Sequence, residues 1–328
     1  MGHGTTKLVL LPLLWAVSGN VLAADDPVRV GVLAFGTVNW ELDVVSEHDL
    51  AGQNGIELEV VPLASNNALG VALQGGAVDL IVSDWIWVTR QRSRGHSYTF
   101  FPYSLTVGAL MVRPDSGIGS VNDLGGKRLG VAGGPVGKSW LLIRAYTRAT
   151  AGVDLAEMVE PNFAAPPLLN QLMLRGELPA VINYWHYGAR LEAAGMIPLL
   201  GVATVLPELG IEGPIPLLGW VFDEDWAREH PRLIKGFLAA SYAAKAILDR
   251  SDEEWERIRP LTKAEDDATL AALRDAYRRG IPRHFGAPEI ASATRAFQVL
   301  AAEGGPKLVG DSSEIEPGTF WTEFSLAP

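Results

Sequence analysis

The residues best suited to chemistry follow a glycine-rich turn near the middle of the chain. From Ala132 to Ser139 the sequence reads Ala-Gly-Gly-Pro-Val-Gly-Lys-Ser, a loose form of the phosphate-binding loop with alanine in place of the first glycine. In such a turn, backbone N–H groups and the Lys138 ammonium can hold an anion at the start of a helix. Gly134, Lys138 and Ser139 are therefore candidate contacts for an acidic ligand group. The plain alternative is a surface lysine on an ordinary helix.

A nucleotide-binding enzyme is the rival interpretation of this turn, and two features oppose it. Pro135 has no N–H, although the loop works through N–H groups. The apolar run that ends in an acid, from Leu80 to Asp84, precedes the turn instead of following it. Other enzyme signatures are missing as well, because the chain has no cysteine, its six histidines lie far apart, and no Gly-x-Ser-x-Gly elbow occurs. We predict no catalysis, no metal and no cofactor.

Four tryptophans occur where predicted strands give way to helices: Trp40, Trp85, Trp140 and Trp185. Aromatic faces in a cleft suit a planar ring, by stacking, or an organic cation, by attraction to the ring quadrupole. A small inorganic anion needs neither. The pattern therefore favours an organic solute of aromatic, heterocyclic or zwitterionic character. The alternative for each tryptophan is packing beneath its own sheet.

Polar residues beside these tryptophans complete the predicted ligand-binding set: Asn39, Ser83, Asp84, Asn183 and Tyr184. In open α/β sheets, ligands bind beyond the carboxyl ends of the strands, which is where this set lies. Asp84 could receive the positive end of a ligand, or it could cap the helix that begins after it. Asn39 has the same two interpretations. We expect a cleft that brings two such strand ends from each half of the chain together.

The chain around these residues alternates short β-rich runs with helical stretches in two series, which is typical of parallel sheets covered by helices. The first series comprises strands 28–34, 56–62 and 79–83 and helices 39–53, 66–74 and 85–93. The second comprises strands 128–132, 180–183 and 197–200 and helices 138–151, 166–175 and 184–194. From residue 223 onward the pattern is helical.

The two series contain an internal repeat at an offset of 100 residues. Gly76, Trp85, Arg90 and Gly95 recur as Gly176, Trp185, Arg190 and Gly195, each group within a helix end, a turn, an apolar strand and a new helix start. A shared order of elements is harder to obtain by chance than four identities. The repeat therefore predicts two similar α/β lobes.

Export is predicted by the first 23 residues. Lys7 precedes ten apolar residues and the small-residue site Val21-Leu22-Ala23, so we expect cleavage after Ala23. Ten apolar residues are too few for a membrane span, which needs about twenty. The formal net charge of −11 argues against a nucleic-acid partner. We expect a periplasmic, freely diffusing monomer.

Several segments carry a resemblance to a known family. They are Val28-Arg-Val-Gly-Val-Leu, Leu73-Gln-Gly-Gly-Ala-Val-Asp-Leu and Val121-Asn-Asp-Leu-Gly-Gly-Lys-Arg-Leu-Gly-Val. Together with the export signal they resemble periplasmic solute-binding proteins of ABC importers, in the nitrate/sulfonate/taurine and thiamine-precursor (NitT/TauT-like) branch. The resemblance implies a two-lobed type II periplasmic-binding fold with hinge strands, a ligand enclosed between the lobes, and delivery to a membrane permease and its ATPase.

Within that fold, we expect residues 24–111 and 220–328 to form lobe I and residues 112–219 to form an inserted lobe II. The β-rich stretches 107–112 and 217–222 are the candidates for the crossing hinge strands. An alternative function stays open at this point, because a periplasmic accessory protein that binds a partner enzyme or its cofactor could have the same fold.

Overall fold

The computed structural model of the protein describes residues 1–2 and 27–326. The predicted export signal and its cleavage site fall on residues 3–26 and lie outside the described residues. Within the described part the strands are β1 Val28–Leu33, β2 Leu58–Leu63, β3 Leu80–Ser83, β4 Tyr98–Ser104, β5 Ala109–Val112, β6 Arg128–Val131, β7 Glu160–Phe163, β8 Ala180–Asn183, β9 Ile197–Gly201 and β10 Leu218–Asp223.

Helices connect and cover these strands, and two short 3-10 turns lie at 121–124 and 207–209. The α-helices are α1 Val38–Glu47, α2 Leu50–Gln53, α3 Asn66–Gln74, α4 Trp85–Arg92, α5 Lys138–Ala151, α6 Leu155–Met158, α7 Pro166–Leu174, α8 Trp185–Ala193, α9 Val202–Val205, α10 Glu224–Glu229, α11 Pro231–Arg250, α12 Asp252–Arg257, α13 Arg259–Thr262, α14 Asp267–Arg279, α15 Ala287–Gly304 and α16 Pro306–Val309. In the described part of the chain, none of them has the length and apolar character needed to cross a membrane.

The strands form two five-stranded mixed sheets, as the two-lobed fold requires. The first has the order β2-β1-β3-β10-β4 and the second the order β7-β6-β8-β5-β9. In each sheet four strands run in the same direction, and one strand, β10 in the first sheet and β5 in the second, runs antiparallel to both of its neighbours. We call the first sheet with its helices lobe I and the second sheet with its helices lobe II.

The internal repeat of the sequence corresponds to a strand–helix unit that occurs once in each lobe. The β3–α4 unit and the β8–α8 unit occupy matching places in the two sheets. Gly76 and Gly176 both adopt a left-handed backbone, with φ of 68° and 80°, and so do Gly95 and Gly195, with φ of 89° and 84°. Other residues rarely adopt this conformation, so the four repeated glycines end the helices of both units in the same way.

The chain passes between the lobes just before β5 and again before β10. The stretches expected to cross are these two strands, and each lies wholly within one sheet. The crossings themselves are the irregular segments 105–108 and 210–217, since α9 and the 3-10 turn at 207–209 still pack on α5 of lobe II. A Cβ at Gly108 would lie 2.4 Å from the carbonyl oxygen of Asn183 and 2.7 Å from Oγ of Ser139. The first crossing therefore passes so close to lobe II that only glycine fits.

A buried polar cluster anchors α1 to the C-terminal helices. Glu41 and Lys245 form an ion pair with 0% and 2% of their side chains exposed. The carboxylate also accepts hydrogen bonds from Ser241 Oγ (2.5 Å) and the Tyr277 hydroxyl (3.0 Å). The Lys245 ammonium lies 3.8 Å from the ring centre of Tyr103. Because both charges are paired and hydrogen-bonded, the cluster fixes the start of α1, which faces the other lobe.

Candidate functional site

The site lies where strand ends of the two lobes meet. In lobe I, β1 and β3 are neighbours and their carboxyl ends lead into α1 and α4; in lobe II, β6 and β8 are neighbours and lead into α5 and α8. The structure brings these four segments together in two pairs. The α4 segment meets the α5 segment, and the α1 segment meets the α8 segment. We call this junction between the strand ends of the two lobes the cleft.

Asp84 and Lys138 form the first contact across the cleft. Lys138 Nζ lies 2.8 Å from Asp84 Oδ2, and the two side chains are 24% and 22% exposed. The other carboxylate oxygen, Oδ1, accepts the backbone N–H of Trp87 at 2.9 Å and thus caps α4. One carboxylate oxygen therefore caps α4, which is one of the two interpretations that the sequence left open, and the other oxygen faces Lys138 of the opposite lobe.

The glycine-rich turn places Lys138 at the first residue of α5. Gly133 and Gly134 have φ of 84° and 73°, conformations that other residues rarely adopt. A Cβ on Gly134 would meet nothing within 4 Å, so this part of the turn borders open space. Ser139 is half-buried and lies beside the first crossing segment, close to Gly108. The turn thus aims Lys138 at Asp84 instead of at solvent.

Trp40 and Trp185 form the second contact across the cleft. Their ring centres are 6.0 Å apart in an edge-to-face arrangement, and Trp185 also lies 6.4 Å from the ring of Tyr277. Trp40 donates its indole N–H to the carbonyl of Leu261 at 3.2 Å. Arg190 of α8 donates to the carbonyls of residues 262 and 263. The turn after α13 therefore contacts both lobes on this side of the cleft.

The structure buries three of the four tryptophans that were expected to line the cleft. Trp85 is 0% exposed, packs against Phe297 and donates its indole N–H to the carbonyl of Pro216 at 3.0 Å. Trp140 and Trp40 are 2% and 4% exposed. Trp85 and Trp140 are therefore core residues, whereas Trp40 is covered by Trp185 of the opposite lobe. Trp185 alone is only half-buried.

Two predicted polar contacts are also committed to the scaffold. Asn183 is 1% exposed, and its side chain bonds Pro166, Asn170 and the N–H of Tyr184. Asn39 donates both of its amide hydrogen bonds, each 2.9 Å, to backbone carbonyls of the preceding loop, and it is not the N-cap of α1. Both side chains hold strand-to-helix turns in shape, so we no longer count them as ligand contacts.

A cavity of about 560 Å³ opens on lobe I beside the Asp84–Lys138 pair. It runs between α3 and α4 and is lined by Ser83, Asp84 and Trp87 at the end nearest the cleft and by Arg94 at the far end. Four amide side chains and several aliphatic ones also line it, among them Asn66, Asn67, Gln74, Gln91, Leu69, Val71 and Leu218. The cavity can therefore hold a small organic molecule and offers it both hydrogen bonds and apolar surface.

The accessible aromatic surface comes from Phe35, which was not among the predicted ligand contacts, and from Tyr184, which was. Phe35, in the loop after β1, is 89% exposed, and Tyr184, directly after β8, is 42% exposed. Each precedes the first helical residue, whereas the buried tryptophans lie inside the first turn. A residue between strand end and helix start points beyond the sheet edge, and this position is the signal that identifies both.

His186 lies next to this aromatic surface and does not act as a proton donor at neutral pH. Burial, followed by the nearby Arg190 charge, lowers the pKa of His186 to about 4. Its ring packs against Trp185 and Tyr187. In the residues that the structure describes, no group of three or more metal-ligating side chains occurs.

A model of the NMT1/THI5-like family matches residues 52–253, which is more than half of the chain. The chain belongs to this family. A sequence search of curated proteins found no match.

Solved structures share the fold of this NMT1/THI5-like protein at low sequence identity. The periplasmic aliphatic sulphonate binding protein SsuA from Escherichia coli is 16% identical, with 93% of this chain and 94% of that chain covered and a TM-score of 0.72. The alkanesulfonate-binding protein SsuA from Xanthomonas axonopodis pv. citri, bound to MOPS, is 16% identical, with coverages of 91% and 99% and a TM-score of 0.67. The periplasmic nitrate-binding protein NrtA from Synechocystis PCC 6803 is 13% identical, with coverages of 76% and 69% and a TM-score of 0.55. The expected two-lobed fold is confirmed.

Proposed function

We propose that this protein is the substrate-binding component of an ABC importer, which captures a small organic solute between its lobes and delivers it to a membrane permease. One observation carries the proposal: strand ends of opposite lobes meet in two contacts, Asp84 with Lys138 and Trp40 with Trp185, on either side of a cleft. The sulfonate- and nitrate-binding proteins that share the fold support the same role.

Binding proceeds by hinge closure. The two irregular crossings, 105–108 and 210–217, absorb the rotation, while each sheet moves as a unit. A solute meets one lobe first and the contacts of the other lobe then stabilise the closed form. Closure is favoured only to the extent that the solute binds the closed form better than the open one.

The solute is organic and not a small inorganic anion. Phe35 and Tyr184 offer aromatic surface at the strand ends, and Trp87 adds a partly buried ring to the cavity wall. Rings bind planar groups and organic cations, while an inorganic anion gains nothing from them. A cavity of about 560 Å³ also exceeds what such an anion would fill.

No covalent chemistry on the solute is part of the proposal. Lys138, the strongest nucleophile candidate, is paired with Asp84 as a cation. The sequence has no cysteine, and the lowered pKa of His186 leaves that ring neutral. Export to the periplasm completes the proposal and is checked by mass spectrometry of the mature N-terminus, which should begin after Ala23.

Small-angle scattering, tryptophan fluorescence and a Tyr184→Ala variant together test the proposal. A solute that binds should reduce the radius of gyration and change the fluorescence of Trp185, which lies at the contact between lobes. Tyr184→Ala should weaken binding about fivefold, since one aromatic contact is worth roughly 1 kcal/mol. Leu174→Ala is the matched control, because Leu174 is 51% exposed at the opposite end of α7 from the cleft. Equal affinities for the two variants would contradict the site.

A further inference from the structure

The Asp84–Lys138 pair constrains the charge of the solute. We propose that the solute is a zwitterion: its anionic group takes the place of the Asp84 carboxylate beside Lys138, and its cationic group takes the place of the Lys138 ammonium beside Asp84. The inference rests on the proposed function, that a solute binds between the lobes. In the ligand-free protein, the Asp84 carboxylate then occupies the place of the anionic group of the solute, and the Lys138 ammonium occupies the place of its cationic group.

Asp84 stays in place when the lobes separate. Its Oδ1 accepts the Trp87 N–H at the start of α4, which is a contact within lobe I. Opening therefore leaves a fixed carboxylate whose Oδ2 faces the cleft without its cation. Because Asp84 also lines the cavity, its charge is presented to any solute that enters there. The group that satisfies it best is a donor with positive charge.

Lys138 presents the complementary requirement on lobe II. It is the first residue of α5, where the helix dipole favours negative charge and disfavours an ammonium without an anionic partner. Asp84 is the one acid that contacts Lys138 among the residues the structure describes. The N-cap, Gly137, supplies no side chain to the first turn. An anionic ligand group beside Lys138 is therefore stabilised by the ammonium and by the helix end together.

A solute with a single charge satisfies only one of these two groups. A monoanion beside Lys138 separates the pair and comes to lie next to the fixed Asp84 carboxylate, which repels it. A monocation beside Asp84 has the same conflict with Lys138. Both side chains are only about a quarter exposed, so solvent compensates an unpaired charge incompletely. An uncharged solute leaves the pair intact and gains no ionic contact from it.

Matched sets of solutes test the inference, with thermal shift and isothermal titration of the whole mature protein as readouts. Each set has one carbon skeleton in three charge forms, as in homotaurine, propanesulfonate and propylammonium, or para-aminomethylbenzoate, para-methylbenzoate and para-methylbenzylammonium. A library of small organic solutes in these forms is screened. We expect the zwitterion of a binding set to exceed its monoanion and monocation roughly thirty-fold or more in affinity, the loss typical of removing one partner from a buried charge pair.

Two charge-neutralising variants give the inference its sharpest test. Asp84→Asn keeps the cap of α4, because asparagine caps helices as well as aspartate, and should shift preference from the zwitterion toward the monoanion. Lys138→Gln should shift preference toward the monocation. Asp266→Asn is the matched control for the first, since Asp266 caps α14 in the same way, through the N–H of Thr269 at 2.7 Å. Lys235→Gln, at an exposed position of α11, is the control for the second.

The outcomes separate this inference from the function on which it rests. Zwitterion preference in the native protein that is lost in each variant, with both controls unchanged, supports the inference. Binding of a monoanion or a neutral solute as tightly as its zwitterion overturns the inference and leaves the proposed function standing. A library in which no compound shifts the melting temperature or gives a titration signal overturns both.

Discussion

Trp85 and Trp185 occupy equivalent positions in the internal repeat but have different environments, and their alanine variants should differ accordingly. Trp85→Ala removes a fully buried indole that contacts Phe297 and Phe320. Truncation of such a residue costs about 3–5 kcal/mol. The carbonyl of Pro216 also loses its donor, which adds roughly 1 kcal/mol. We expect about 4 kcal/mol or more in total, a large part of the stability of an ordinary domain.

Trp185→Ala should instead leave the melting temperature nearly unchanged and weaken ligand binding. The half-buried ring loses its contacts with Trp40 and Tyr277, which join the lobes in the closed form. Each such aromatic pair contributes about 0.5–1.5 kcal/mol, so affinity should fall about tenfold. Urea unfolding measures the first variant and titration with a binding solute measures the second. Equal losses of stability in the two variants would refute the distinction between a core residue and a cleft residue.

Two further predictions concern buried charge. Lys245→Met should destabilise the protein by about 3–5 kcal/mol, because it leaves the Glu41 carboxyl group in the core without its cationic partner, while the double variant with Glu41→Gln should recover most of that loss. Free energies of unfolding in urea that differ by less than about 1 kcal/mol between single variant and wild type would contradict this. Lowering the pH from about 6.5 to 4 should reduce stability by up to about 3 kcal/mol through His186, since its lowered pKa makes the unfolded state bind the proton first. The His186→Gln variant should show a flatter pH profile over that window, and an unchanged profile would exclude the histidine as its cause.

The local sequence pattern was sufficient to predict the helices and strands whose formation depends on residues within the segment itself. Helix α5 begins and ends where its sequence pattern predicts, and so does strand β8. Strands β4 and β7 were missed because Pro102 and Pro161 interrupt their β-rich character. Both strands lie at a sheet edge, where β4 has only an isolated bridge between Phe100 and Phe320 on its outer side, and an edge strand tolerates a residue that cannot donate a hydrogen bond on that side.

The candidate site was only partly predictable, because its chemistry depends on which residues of distant segments meet. The sequence identified Asp84 and Lys138 separately, and no spacing rule links positions 54 residues apart in different lobes. It also could not tell which face of a first helical turn each tryptophan occupies. Trp85 and Trp185 share a repeat position, yet neighbouring elements bury the first and leave the second at the contact between lobes.

The central claim is that a small organic solute closes the lobes through Asp84 and Lys138. A thermal-shift screen of a solute library, run in parallel on the native protein and on the double variant Asp84→Asn/Lys138→Gln, tests it most directly. The account predicts at least one compound that raises the melting temperature of the native protein and has little effect on the double variant. A melting temperature insensitive to every compound, or shifted equally in both proteins, would contradict it.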